Sequence, residues 1–191
     1  MFSQNWFQDN GKRWLVWLDR FKDKDNLRFL EIGCFEGRAT CWVMDHILTG
    51  ENNTFDVIDT FEGSMEHKDR DLDVSNMLDN FKENIKPFEN KVKIKIHQGK
   101  SENKLVLFDE NVFDFIYVDG SHMAKDVLSD LVMGFRCLRG GGLMIMDDYA
   151  WVKYEDETLN PKIAIDAFLE IYKNEYILID KDRQVAIQKN V

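Results

Sequence analysis

FLEIGCFEGRAT, residues 29–40, is the stretch of sequence that decides the fold. It begins as a short apolar run, passes through Gly33 and Gly37, and continues into residues with helical spacing. A strand that turns on glycine into a helix is the first unit of an open α/β sheet, whose ligands bind at the carboxyl ends of the strands. The stretch therefore predicts a fold class and the sheet edge at which function lies.

The rest of the chain repeats this unit. Short apolar runs alternate with helical periodicity four times between residues 27 and 148, which is typical of a parallel sheet. The five strands are predicted at residues 27–32, 54–58, 92–96, 113–118 and 143–146. The third alternates strictly with lysine, which predicts an edge strand. Glycines 140–142 predict a turn, and the closing runs at 176–179 and 184–187 predict an antiparallel hairpin.

Length and composition predict a soluble single domain, with a helical extension at residues 1–26 and an α/β core at 27–191. The formal charge of -10 argues against a sequence-independent grip on nucleic acid. Three cysteines without a CxxC pair predict neither a disulfide framework nor a zinc site, and they favour the cytoplasm. Because the N-terminus lacks a signal pattern and no apolar run could span a bilayer, no membrane association is expected.

The glycine turn favours one kind of cofactor over another. A dinucleotide-binding turn needs a glycine where this chain has Phe35, so a pyrophosphate is disfavoured. Glu31, at the strand end, would also repel a pyrophosphate but suits the ammonium and sulfonium charges of S-adenosylmethionine. The alternative reading is a strand-to-helix turn that uses Gly33 and Gly37 only for tight packing.

Polar residues follow the second and third strands as well. Asp59 can accept both ribose hydroxyls of an adenosine, or it can be a turn aspartate before Thr60. Gly99 and Ser101 follow the third strand. Ser101 either meets an adenine edge or caps a helix that begins at Glu102.

Asp119, Asp147 and Asp148 end two further strands, which predicts three carboxylates at one edge of the sheet. A divalent cation such as Mg²⁺ would neutralise them and leave positions open for substrate oxygens. Solvated loop aspartates and a helix cap are the alternative. His122 follows in DGSH and is a candidate general base, or a surface or capping residue; the other histidines, His46, His67 and His97, are predicted to be structural.

These motifs resemble a known family. FLEIGCFEGRAT, DTFEGS at 59–64, GKSEN at 99–103, and YVDGSH at 117–122 followed by GGLMIMDDY at 141–149 are similar to class I S-adenosylmethionine methyltransferases. Within that class they resemble the metal-dependent O-methyltransferases related to catechol O-methyltransferase. A histidine at 122, where catechol-type enzymes have lysine, resembles the macrocin and macrolide-sugar O-methyltransferases, whose acceptors are deoxysugar hydroxyls.

The resemblance implies a Rossmann-like α/β fold with a seven-stranded, mostly parallel sheet in the order 3-2-1-4-5-7-6, an antiparallel last hairpin strand and helices on both faces. It implies a metal, Mg²⁺ or Mn²⁺, on Asp119, Asp147 and Asp148, with His122 and Asp119 catalytic, Asp59 on the ribose and Phe61 over the adenine. The implied cofactor contacts are Glu31, Gly33, Gly37, Asp59, Thr60, Phe61, Gly99, Ser101 and Asp119.

The acceptor side is predicted to be formed by loops, at residues 61–73 and 149–159. Tyr149, Trp151 and Tyr154 supply flat surface for a sugar or another ring, or they pack locally. The N-terminal FSQNWFQ either folds over the site or mediates a homodimer. The expected partner is a small-molecule or glycan acceptor; a nicotinamide-dependent oxidoreductase and a Mg²⁺-binding receiver-like module are the rival functions.

Overall fold

The computed structural model describes residues 2–7, 10–64, 67 and 72–191. Seven strands form one sheet in the order β3-β2-β1-β4-β5-β7-β6, which confirms the predicted order. Strands β1 to β5 run parallel, and β7 pairs antiparallel with both β5 and β6, as the closing hairpin predicts. The strands are β1 Arg28–Ile32, β2 Thr54–Asp59, β3 Lys93–Gln98, β4 Phe113–Val118, β5 Leu138–Met146, β6 Tyr176–Lys181 and β7 Val185–Lys189.

Helices cover both faces of the sheet, because neighbouring residues of the central strands point to opposite sides. In β4, Phe115 belongs to the apolar cluster that includes the N-terminal helix, whereas Ile116 belongs to the cluster on the other face. The helices of the described residues are α1 Gly11–Trp17, α2 Arg38–His46, α3 Met77–Ile85, α4 Ser101–Leu105, α5 Ala124–Cys137 and α6 Pro161–Ile171. None of them is long and apolar enough to cross a membrane.

One local prediction was wrong, and one of the two roles predicted for Ser101 is excluded. Glycines 140–142 do not form a turn before the fifth strand, because β5 already begins at Leu138, directly after α5. The glycines lie in an irregular part of β5, where the pairing with β4 passes from Leu138 to Leu143 while β4 advances only from Phe113 to Phe115. Ser101 is not a helix cap either, because α4 already begins at Ser101.

The N-terminal extension packs tightly against the core. Trp14 of α1 is fully buried, with its ring edge-on to Tyr117 of β4 at 4.6 Å between centroids. Ahead of α1, the Ser3 amide donates to Glu36 at 2.6 Å, and the Arg38 guanidinium donates to the Gln4 carbonyl at 2.9 Å. These contacts attach residues 2–7 to the loop and helix that follow β1.

Gly33 leaves no space for a side chain. Its φ is +80°, and a Cβ there would lie 2.1 Å from the Asp119 carbonyl oxygen. We expect Gly33→Ala to lower the free energy of unfolding by about 3 kcal/mol or more, because backbone strain and a backbone clash add. Urea denaturation measures this change.

Gly120→Ala is the matched control. A Cβ at Gly120 would meet its nearest neighbours at 3.5 Å, which is ordinary van der Waals contact, and its φ lies outside the left-handed region. Its cost should stay below about 1 kcal/mol. Equal losses for the two variants would contradict the close approach of Gly33 to β4.

Candidate active site

A cavity of about 770 Å³ opens at the carboxyl ends of the parallel strands. An open α/β sheet binds its ligands at this edge, and the volume lies in the range of small-molecule sites. Most of the predicted site residues lie in its wall. They are Glu31, Gly33, Asp59, Thr60, Gly99, Ser101, Asp119, His122, Asp147 and Asp148.

Gly37 and Phe61 do not line this cavity. Gly37 precedes α2 with a φ of +81°, and a Cβ there would lie 2.8 Å from the Phe81 ring. Phe61 is 7% exposed and packs against the same ring, with 5.5 Å between centroids. Both residues therefore serve the packing of α2 and α3, and the predicted adenine cover at Phe61 lies outside the cavity wall.

Asp59 fixes the glycine turn after β1. Its Oδ2 accepts the backbone N–H groups of Cys34 and Phe35 at 2.8 and 3.0 Å, and its Oδ1 accepts the N–H of Phe61 at 2.8 Å. These bonds hold Phe35 at a φ of +49°, in the left-handed region that a phenylalanine rarely occupies. A ribose at Asp59 would use the lone pairs that the turn leaves open.

Glu31 is a buried acid at the end of β1. It is 2% exposed, and its carboxyl accepts a hydrogen bond from the Thr40 hydroxyl. Burial raises the pKa of Glu31 to about 8; the Thr40 bond opposes this shift, and the Asp59 charge adds to it. A ligand cation beside Glu31 would favour its charged form.

The three predicted metal ligands lie in one wall of the cavity, but four of their six carboxylate oxygens are already hydrogen-bonded to protein groups. The Tyr117 hydroxyl lies between two carboxylates, 2.8 Å from Asp119 Oδ2 and in closer contact with Asp147 Oδ2. Asp147 Oδ2 also accepts the Gln184 amide at 2.8 Å, and Asp147 Oδ1 accepts the Asp148 backbone N–H at 2.7 Å. Both oxygens of Asp147 are therefore engaged by protein donors.

Burial keeps these acids from ionising easily. Burial, and then the charge of Asp147, raise the pKa of Asp119 well above its usual value; burial, and then Asp148, raise the pKa of Asp147 to about 6. Among the described residues, no group of three His, Cys, Asp or Glu side chains is placed to hold a metal ion. The donor set predicted for Mg²⁺ or Mn²⁺ does not fit an ion in this arrangement.

His122 and Asp148 form a pair on the acceptor side of the cavity. His122 Nε2 lies 2.8 Å from Asp148 Oδ2, and both side chains are mostly buried. The Trp151 ring lies against the imidazole, 4.3 Å between centroids, and Tyr154 lies edge-on to Trp151. Tyr149 instead donates to Asp166 at 3.0 Å outside the cavity wall, so of its two predicted roles the structure favours local packing.

The N-terminal segment folds over the same cavity. Gln4, Trp6 and Phe7 line it, which supports the first of the two roles predicted for FSQNWFQ. The Trp6 ring contacts Phe35 at 5.0 Å between centroids. A homodimer stays a prediction.

Several cavity residues escaped the sequence-based prediction. Tyr117 lines the cavity, but it lies in the mostly apolar strand FDFIYV. Its hydroxyl, two residues before Asp119, was the signal that could have revealed it. Gln184, which donates to Asp147 but does not line the cavity, was the polar residue of the last predicted strand run. His67 was predicted to be structural, but it lines the cavity and stacks on Phe35 with 15° between the ring planes. In the predicted lid at 61–73, residues 65, 66 and 68–71 lie outside the described residues.

The sequence matches a family model described as a methyltransferase domain over residues 30–149, well over half of the chain. The chain belongs to the methyltransferase domain family. This membership rules against the nicotinamide-dependent oxidoreductase and the receiver-like module. The methyltransferase domain is also 26% identical over 148 residues to uncharacterized protein R132 of Acanthamoeba polyphaga mimivirus, covering 72% of this chain and 58% of that protein. It thus spans less than two thirds of that relative.

Solved structures share the fold of this methyltransferase domain. The O-methyltransferase TomG of Streptomyces achromogenes, in complex with SAM, is 15% identical with a TM-score of 0.64, over 96% of this chain and 80% of TomG. An O-methyltransferase of Bacillus cereus, in complex with SAH, is 16% identical with a TM-score of 0.64, over 98% of this chain and 84% of that one. At such identities the likeness establishes the fold alone.

Glu31 predicts a pH dependence of stability. Between about pH 4.5 and pH 8 the folded methyltransferase domain keeps a proton on Glu31 that the unfolded chain has lost, so rising pH favours unfolding. Glu31→Gln removes this pH-dependent contribution, because a glutamine side chain does not titrate. The free energy of unfolding of Glu31→Gln, relative to that of the wild type, should therefore increase by on the order of 1 kcal/mol for each unit by which the pH rises across that window.

Urea titrations at several pH values measure the difference, and the exposed Glu89→Gln is the control, for which no trend is expected. A Glu31→Gln difference that does not change with pH would show that Glu31 is ionised in the folded protein.

Proposed function

We propose that this methyltransferase domain transfers a methyl group from S-adenosylmethionine to a hydroxyl oxygen, with His122 as the general base. The observation that carries the proposal is the His122–Asp148 pair, which faces the same cavity as Glu31 and Asp59. One cavity thus combines acids suited to a cationic nucleoside with a base suited to an acceptor hydroxyl. TomG and the Bacillus cereus enzyme, which share the fold, are O-methyltransferases in complex with SAM and SAH.

The cofactor end of the cavity is proposed to lie along β1, β2 and α4. Glu31 would face the ammonium group, and Asp59 would accept a ribose hydroxyl while it holds the glycine turn. Gly33 allows close approach of a ligand to backbone because it carries no side chain. Ser101, at the start of α4, lines the cavity where the adenine would lie.

The chemistry needs alignment and removal of one proton, because the sulfonium is already a good leaving group. When His122 Nε2–H donates to Asp148, Nδ1 carries the lone pair that accepts the hydroxyl proton. The acceptor oxygen then forms a bond to the methyl carbon as the carbon–sulfur bond breaks, which leaves S-adenosylhomocysteine. Asp148 stabilises the imidazolium that results, as a carboxylate beside a protonated histidine does.

The acceptor is proposed to be a sugar or glycan hydroxyl. Trp151 beside His122, with Tyr154 against it, gives a flat apolar wall of the kind on which a sugar ring stacks. The same wall suits a planar ring, so a catechol-type small molecule is the second candidate. The divalent metal predicted from the sequence takes no part in this mechanism, because both oxygens of Asp147 are engaged by protein donors.

Release of S-adenosylhomocysteine tests the proposal against panels of sugars, glycans and catechols. We expect His122→Ala to lower kcat by about 100-fold or more, because it removes the general base, while the affinity for S-adenosylhomocysteine stays unchanged. Calorimetry measures that affinity.

His46→Ala is the control, because His46 stacks on Trp42 outside the cavity wall. Its kcat should equal that of the wild type. Full turnover by His122→Ala would eliminate His122 as the base, and absence of S-adenosylhomocysteine binding by the wild type would eliminate the cofactor.

A further inference from the structure

We propose that the Tyr117 hydroxyl occupies the place between Asp119 and Asp147 that a divalent cation would take, so that this chain needs no metal. The inference rests on the proposed function only where turnover is measured. The structural observation behind it does not involve turnover: a hydrogen-bond network reaches from the N-terminal helix to Asp119.

The network joins α1 and β4 through residues that flank β7 and β5. The Trp14 indole N–H donates to Gln184 Oε1 at 2.9 Å, and Gln184 Nε2 donates to Asp147 Oδ2 at 2.8 Å. On the other side of that carboxylate, the Tyr117 hydroxyl contacts Asp147 and, at 2.8 Å, Asp119. Trp14, Gln184 and Tyr117 are all at most 2% exposed. Every bond in this network joins two protein side chains.

The position of Tyr117 is fixed by packing. Its backbone lies in β4, between β1 and β5, and its ring meets the buried indole of Trp14 edge-on at 4.6 Å. The ring has no room to swing aside without displacing Trp14. A cation between the two carboxylates would therefore have to share its coordination sphere with this hydroxyl.

Both oxygens of Asp147, and one oxygen each of Asp119 and Asp148, already contact protein hydrogen-bonding groups. Mg²⁺ requires nearly octahedral oxygen ligands at about 2.0–2.1 Å. Asp147 Oδ2 faces the Tyr117 hydroxyl and the Gln184 amide, and Asp147 Oδ1 faces the Asp148 N–H at 2.7 Å. Asp148 Oδ2 faces His122 at 2.8 Å. Binding an ion would break several of these partly buried bonds, and the donors left unpaired would add to the cost.

Tyr117 is therefore a positioning residue. It holds Asp119 and Asp147 in position, because its single proton is donated to one of the two carboxyl groups while its oxygen contacts the other. The proton of the acceptor passes to His122. Two of the three carboxylates that the sequence predicted as metal ligands thus share a phenol hydroxyl between them.

Manganese binding tests the inference directly. Electron paramagnetic resonance with Mn²⁺ alone, and competition by Mg²⁺, should show no stoichiometric site in the wild-type chain. Turnover of the wild type should be unchanged by EDTA. Tyr117→Phe keeps the ring and removes the hydroxyl, which frees the carboxylate lone pairs that it occupied. It should therefore gain Mn²⁺ affinity by about tenfold or more, the scale of one hydrogen bond to a charged group.

Tyr149→Phe is the matched control, because it removes a hydroxyl from Asp166 outside the cavity wall and should leave Mn²⁺ binding unchanged. One tight Mn²⁺ in the wild type, or EDTA-sensitive turnover, would overturn the inference. Tyr117→Phe that folds but gains no Mn²⁺ affinity would overturn the role of the hydroxyl. If Tyr117→Phe does not fold, the wild-type titration still decides. Binding of S-adenosylhomocysteine, measured separately, reports on the proposed function.

Discussion

Buried carboxyl groups at one edge of a parallel sheet are the constraint on which the rest of this structure depends. Glu31, Asp119 and Asp147 end three adjacent strands, and burial raises the pKa of each of them. Like charges at such a place are costly unless donors or a ligand compensate them. Side-chain hydrogen-bond donors of the protein offset this cost. They are the Thr40 hydroxyl, the Tyr117 hydroxyl and the Gln184 amide.

This constraint explains why the N-terminal helix belongs to the site. Trp14 both packs on Tyr117 and donates to Gln184, so one buried indole supports the two residues that contact Asp147. Ahead of that helix, Gln4 and Trp6 line the cavity. Residues before the α/β core thus shape the wall and stabilise the acids behind it.

The sequence predicted the sheet because its signals are local: apolar runs, glycine turns, lysine alternation at 92–96 and a connection too short for a crossover at 180–183. It also placed Asp119, Asp147 and His122 together, because parallel strands end at one edge. It could not predict hydrogen-bond partners across the sheet. Tyr117 looked like another apolar residue of a central strand, and its contact with Asp147 depends on the geometry of β4 beside β5. Phe61 was misplaced because neighbouring motifs do not reveal its packing on Phe81.

The central claim is that the acids at the strand ends form the binding site of a cationic adenosine cofactor. A crystal structure of the chain with S-adenosylhomocysteine tests it most directly. The account predicts the ligand in the cavity, with its ammonium group at Glu31, its ribose at Asp59 and its sulfur toward His122. A ligand bound elsewhere, or turned so that its ribose lies at Asp147 and Asp148, would contradict it.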